Sequence, residues 1–161
     1  MSGSIATAQS VSSRLLVFTQ GDWQCALDIS IVDRVVSMVE VTPLPQGPSS
    51  VLGVINVQGA VVPVISVRTG FGLPPRDVVP SDLLIIVHTA RRTVALLADA
   101  VVDVVAYPEQ ARVDVARVLP DVDYVHGMVK LESGLILIYN PEQFLSLNEE
   151  ELLSQALSSL S

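Results

Sequence analysis

Leu15-Leu16-Val17-Phe18 and Leu84-Ile85-Ile86-Val87 lie 69 positions apart and superimpose without a gap. The same shift carries Ala26-Leu27 onto Ala95-Leu96, Val32 onto Val101 and Val35-Val36 onto Val104-Val105. A strand, a polar turn and a longer strand therefore recur in one register. Farther on, Leu44-Pro45 followed by Gly53-Val54-Ile55 finds an echo in Leu119-Pro120 followed by Gly127-Met128-Val129, the glycines standing 74 apart. Each of these glycines opens an apolar hairpin. One runs from Val54 to Val57, turns at Gln58-Gly59 and returns through Val61 to Ile65; the other runs from Met128 to Leu131, turns at Glu132-Ser133-Gly134 and returns to Tyr139. Glycine supplies the positive φ that such turns require. Each half then offers about five strands, enough to curl into a small barrel that hides its edges.

Composition agrees with an all-β reading. Half of the 161 residues are apolar, 28 are Val and only one, Lys130, is Lys, a balance that favours strands broken by turns. A formal charge of -8 leaves no basic surface to neutralise a run of phosphates, and three Tyr, three Phe and one Trp give few platforms for stacking bases, so nucleic acid is a poor partner. Mean hydropathy is +0.53, yet every apolar run stops well short of the roughly 20 residues that cross a bilayer. Residues 1–13 read as a flexible N-terminus without a basic start or an apolar stretch, which predicts a cytoplasmic chain. The single Cys25, followed by Ala26 and Leu27, reads as core filler on a strand.

Gly72-Leu73-Pro74-Pro75-Arg76-Asp77, with Pro80 behind it, can neither donate ladder hydrogen bonds nor continue a helix, and it reads as a connector. The preceding residues 67–71 could form one helical turn. A first barrel of about 14–72 and a second of about 82–140 follow, with a helix in 141–161. Asn140 suits a cap, Pro141 a first helical position and Gln143 the far end of a capping box. Asn148 before Glu149-Glu150-Glu151 offers a second start, with Leu152, Leu153, Ala156, Leu157 and Leu160 expected on one apolar face that packs on the protein's own barrel.

Reaction chemistry is not evident. His88 and His126 sit in strand-like runs with no serine or cysteine signature around them, and one Cys with two distant His does not supply the spacing of a zinc site. Asp99 and Asp103, read on one extended strand, would stand roughly 13 Å apart, too far for a glycosidase pair. Neither G-x-x-x-x-G-K-[ST] nor G-x-G-x-x-G occurs, so no nucleotide is expected. The reading is a non-enzyme with no metal and no cofactor.

Leu15-Leu16-Val17-Phe18, Ala26-Leu27-Asp28-Ile29, Gly53-Val54-Ile55-Asn56 and Val62-Pro63-Val64-Ile65 together resemble the CheW family of chemotaxis-coupling proteins in order and spacing. Val94-Ala95-Leu96-Leu97-Ala98-Asp99 resembles that family's V-G-x-x-V-D strand, and Gly134-Leu135-Ile136-Leu137-Ile138 its closing hairpin. The likeness spans about Arg14 to Leu147. It implies a CheW-like domain of two five-stranded SH3-like barrels with a hydrophobic seam, and an adaptor without catalysis. Its partners would be a CheA-type histidine kinase and the cytoplasmic tip of a methyl-accepting chemoreceptor, in membrane-proximal receptor arrays without membrane insertion.

Carried over by position, the receptor groove would draw on Val32, Arg34, Val35, Val57, Gln58 and Gly59, and the kinase edge on Val41, Thr42 and Leu44. Core packing is the competing role for each Val and Leu. The family pattern reads N-L-R-G at Asn56-Val57-Gln58-Gly59 and often carries Glu at the place of Arg34, so both groove charges differ here. Arg34 would attract an acidic receptor tip and repel a basic one. Ser66, Ala95 and Asn140 also depart from the pattern, at turns and caps. A reading from another class is a sensory β-barrel that binds a small molecule.

Overall fold

The computed structural model describes residues 12–48, 50–66, 77–108, 112–113, 125–131, 134–139 and 147–158. Residues 67–71, the connector up to Arg76, Leu119-Pro120, the Asn140 cap and Leu160 lie outside them. Among the described residues are eleven strands: β1 (Ser12–Gln20), β2 (Trp23–Asp28), β3 (Val32–Ser37), β4 (Val51–Val57), β5 (Ala60–Ile65), β6 (Leu83–His88), β7 (Thr93–Ala98), β8 (Ala100–Pro108), β9 (Arg112–Val113), β10 (Val125–Leu131) and β11 (Gly134–Tyr139). One helix, α1 (Leu147–Ser158), follows. The protein is mostly β with a short C-terminal helix, as its valine-rich sequence predicts.

The strands form two sheets, one ordered β8-β1-β2-β11-β10-β9 and the other β3-β6-β7-β5-β4. Leaving β9 aside, substituting β6 for β1, β7 for β2, β3 for β8, β5 for β11 and β4 for β10 converts the first order into the second. The repeat is thus a structural one, and its register is conserved as well. Leu15 pairs with Asp28, Leu16 with Leu27 and Val17 with Ala26 across β1 and β2; 69 residues on, Leu84 pairs with Leu97, Ile85 with Leu96 and Ile86 with Ala95. Even the bulge recurs: β1 slips against β8 between Val17 and Phe18, and β3 slips against β6 between Val32 and Arg34.

Strand pairing does not follow the division into a barrel of about 14–72 and another of about 82–140. Each half lends its third strand and its closing hairpin to the other. β11 joins β2 in parallel and β5 joins β7 in parallel, pairings that need long crossovers, and the other half of the chain supplies them. The sheets therefore interlock, and neither half of the chain closes by itself.

Alternation along the strands explains why the interior is continuous. Leu16 and Phe18 on β1, Leu27 on β2, Ile85 and Val87 on β6, and Leu96 on β7 meet in one buried cluster drawn from both sheets. The intervening residues face away from it. Leu15, Val17, Ala26, Ile136 and Ile138 form the private core of one sheet, and Ile55, Val62, Val64, Leu84, Ile86, Ala95 and Leu97 that of the other. Strands buried on both faces read as unbroken apolar runs, which is why 15–18 and 84–87 carry no polar residue.

Helix α1 seats Leu153, fully buried, in the cluster that joins the sheets, with Ala156 buried beside it. Leu157 packs against the same cluster, whereas Leu152 is exposed, because residues 153, 156 and 157 span one face and 152 points off it. Polar clamps hold the helix. Arg92 Nε donates to Glu150 Oε1 at 3.0 Å, Arg92 Nη2 to Ser154 Oγ at 2.8 Å, and Ser50 Oγ to Glu149 Oε2 at 2.8 Å.

Candidate functional site

The two segments expected to line one groove meet across the ends of the five-stranded sheet. β3 and β4 are its two edges, and Arg34 Nη2 donates to Gln58 Oε1 at 3.2 Å, tying the edge strand to the β4–β5 turn. That turn is a tight one: Gln58 has φ 52° and Gly59 φ 88°, the paired positive values of a type I′ hairpin. Asn56 Oδ1 accepts from the Gly59 N–H at 2.9 Å, so the side chain before the turn fixes its shape.

The bulge on β3 decides which way each side chain faces. Val32 pairs with Val87 and Val35 with Ile85, both members of the cluster between the sheets, whereas Arg34 pairs with Ile86 of the sheet's private core. Cross-strand partners share a face, so Val32 and Val35 line the side of the seam and Arg34 lies on the side that closes on Gln58. Val32 is half-buried against the seam cluster and Val57 against the private core; Val35 is exposed. The Arg34–Gln58 contact thus brings the two groups of three together, and the three on β3 occupy both faces of that strand.

Asp33, the bulged residue, was not singled out from the sequence. Its Oδ2 accepts from Arg34 Nε at 3.2 Å, and its Oδ1 stands 3.9 Å from His88 Nε2 on β6. His88 Nδ1 lies 3.0 Å from Thr93 Oγ1. An acid directly before a groove arginine was the available signal.

The second expected surface is less exposed. Thr42 forms a two-way bridge with Val54, each N–H to the other's carbonyl at 2.8 Å, which adds a short crossing segment to the free edge of β4. A side chain at Gly53 would collide with the Thr42 carbonyl oxygen, so glycine is what admits this crossing. Thr42 is exposed, but Val41 packs against the private core and Leu44 against the seam cluster, both half-buried. The exposed apolar side chains stand next to them, in Val39, Leu52, Val78 and Val79. With Met38, Glu40, Val41 and Pro80 these line an open groove of about 520 Å³. The sequence reading missed this groove, because Val78 and Val79 follow the connector and no periodic pattern places them.

Other polar positions serve the scaffold. Asp99 sits in the corner between β7 and β8 rather than on a strand, and its Oδ2 accepts from the Gly21 N–H at 2.7 Å. Cys25 is fully buried, as core filler should be; burial pushes its thiol up to about 12, the Tyr139 hydroxyl 3.4 Å away opposing that rise and Asp99 adding to it. Among the described residues, no group of three His, Cys, Asp or Glu is placed to hold a metal, and no helix is long and apolar enough to cross a membrane.

Comparison with known proteins places this arrangement. Residues 14–149 match the family model of the CheW-like domain. The chain is 26% identical over 153 residues to "Probable chemotaxis protein CheW" of Rhizobium etli, covering 94% of this chain and 99% of that one. It is 27% identical over 124 residues to "Chemotaxis protein CheW" of Thermotoga maritima, covering 76% and 81%. Among solved structures, the scaffolding protein TtCheW of Thermoanaerobacter tengcongensis superimposes with a TM-score of 0.77 at 28% identity, over 85% of this chain and 94% of that one.

Proposed function

The chain belongs to the CheW-like domain family, and from that membership we propose that it is a non-catalytic adaptor coupling chemoreceptors to a CheA-type histidine kinase. The relatives carry chemotaxis in their names, and the structural neighbour is titled a scaffolding protein. In this reading Val32, Arg34, Val35, Val57, Gln58 and Gly59 contact the cytoplasmic tip of a receptor. Val41, Thr42 and Leu44, with the apolar groove beside them, contact the kinase. The protein works in the cytoplasm against membrane-proximal arrays and needs no cofactor.

One observation carries the proposal: Arg34 and Gln58, 24 residues apart, touch and join β3 to the β4–β5 turn in a single polar rim. The rim and the apolar groove are different surfaces, as a protein with two simultaneous partners requires. The reading as a small-molecule sensor draws no support from the sheets, whose private cores are filled by Leu15, Val17, Leu84 and Ile86 and their neighbours.

Calorimetric titration of the chain with a kinase regulatory fragment and with a receptor-tip fragment tests the proposal. Each should bind alone, and saturation with one should leave the affinity for the other within about threefold. Binding of neither fragment would refute it, and mutual exclusion would refute the two-surface assignment.

A further inference from the structure

We infer that Asp33 cancels the charge preference of the receptor rim, so that it accepts a neutral hydrogen-bond acceptor, an amide or carbonyl oxygen, as readily as a carboxylate. The inference rests on the receptor-rim reading and changes what Arg34 means within it. Read from the sequence, Arg34 is an isolated cation that should attract an acidic tip. In the structure its guanidinium is already engaged on two sides, by Asp33 at Nε and by Gln58 at Nη2. Among the described residues, neither hydrogen bond nor ion pair uses Nη1.

Two consequences follow from charge and geometry. Arg34 and Asp33 sum to zero, so a carboxylate arriving at Nη1 meets a repelling carboxylate close behind the cation that attracts it. In a chain of net charge -8 no surplus of positive field restores the balance. A guanidinium whose Nε and Nη2 already hold Asp33 and Gln58 has also lost the side-on fork that this pair of nitrogens would offer a carboxylate. The N–H groups that remain, chiefly those of Nη1, can be met by a neutral amide oxygen as well as by an acid. Among the described residues, His88 on β6 also faces Asp33, its Nε2 standing 3.9 Å from Oδ1.

Asp33→Asn separates charge from structure, since an asparagine oxygen can still accept from Arg34 Nε while the negative charge is gone. The probes are paired Glu and Gln variants, one polar position at a time, of a receptor cytoplasmic-tip fragment that binds the chain. Affinities are measured at about 0.01 M and about 0.1 M ionic strength. The native chain should bind Glu and Gln tips within about threefold of each other at every position. Asp33→Asn should prefer Glu at one position by about tenfold at low salt, a preference that shrinks at the higher salt and disappears when Arg34→Gln is added. A native chain that already prefers the Glu tip tenfold overturns the inference. So does an unchanged ranking in Asp33→Asn while Val35→Asp abolishes binding, a result that leaves the rim reading standing. If Val35→Asp and Asp33→Asn both bind every tip like the native chain, the rim reading falls and the inference with it.

Discussion

Strands β3 and β8 are the same strand twice. Each is the edge of its sheet, each pairs with the first strand of the opposite half, and each is bulged at the equivalent place. A shift of 69 sets Val32 on Val101, Asp33 on Val102, Arg34 on Asp103 and Val35 on Val104. The inward positions keep their apolar character, but the bulge presents an acid and a base in one copy and a valine and an acid in the other. Val35 and Val104 are exposed to the same extent, 38%. Core chemistry therefore maintains the architecture in both halves, while the solvent-facing residues have diverged in sign. That divergence is where a difference in partners has to reside.

If the halves share one architecture, they should also be equal in what they contribute to stability. Leu27 and Leu96 are equivalent, both essentially fully buried in the cluster between the sheets. Leu27→Ala and Leu96→Ala should each lower the unfolding free energy by about 2–5 kcal/mol and agree with one another within about 1 kcal/mol. Urea unfolding curves measure both. A twofold larger loss on one side would show that the interlocked halves are not energetically equal.

A sharper version uses Cys25, whose equivalent is Val94. Burial lifts the Cys25 thiol from 9.0 to about 12, so the folded state resists the thiolate that the unfolded state forms readily. The associated stability is fully present below pH 9 and falls as pH rises toward 12, by up to about 1.4 kcal/mol per pH unit. Cys25→Val makes the first half match the second, and it should remove that share of the alkaline slope while leaving stability at pH 7 within about 1 kcal/mol. Equal slopes in the two proteins between pH 9 and pH 11 would contradict the assignment.

How much of this was visible in the sequence depends on the distance over which a signal acts. The repeat was legible at Leu15–Phe18 and Leu84–Val87 because a strand buried on both faces must be apolar at every position. The hairpin at Gln58-Gly59 was legible because its turn needs positive φ. The exchange of hairpins between halves was not: the period of a strand states which face is buried and says nothing of which neighbour lies alongside. Leu137 beside Cys25 and Ile65 beside Leu96 are such pairings. Burial divides Val32 and Val57, both half-buried, from the exposed Val35, a division the sequence could not show, since an apolar side chain is equally suited to core and contact. Asp33 was missed because its importance comes from the bulge, which no local pattern announces.

The groove beside the proposed kinase edge tests whether exposed valines are functional in one half alone. Val39 is 45% exposed in that groove and Val102 is 55% exposed on β8. Val39→Asp should weaken binding of the kinase regulatory fragment by about thirty- to a hundredfold, or roughly 2–3 kcal/mol, without altering the unfolding midpoint. Val102→Asp should leave that affinity unchanged. Val41→Asp should lose binding and stability together, because its side chain packs against the private core. Surface plasmon resonance on each folded variant gives the ranking. Equal weakening by Val39→Asp and Val102→Asp would place the kinase across both halves.

The smallest effect belongs to the pair in which the two edges differ in sign. Arg34→Asp gives β3 the side chain that β8 already carries. It removes the donor to Gln58, leaves Asp33 without its guanidinium and sets two carboxylates side by side on an exposed edge. An exposed ion pair of this kind contributes little to folding, about 0–1 kcal/mol, so the variant should stay folded. Receptor-tip affinity should nevertheless fall by about tenfold, or roughly 1.4 kcal/mol, because the rim loses its donor and acquires a net negative charge. The reciprocal change carries no such penalty. Asp103 Oδ1 accepts from the following Val104 N–H at 2.7 Å, a contact local to the bulge, so Asp103→Arg should alter receptor affinity by less than about threefold. Titrating both variants against one receptor-tip fragment decides the matter. If Asp103→Arg weakens binding as much as Arg34→Asp, the receptor spans both edges, and the difference in sign between β3 and β8 has another cause.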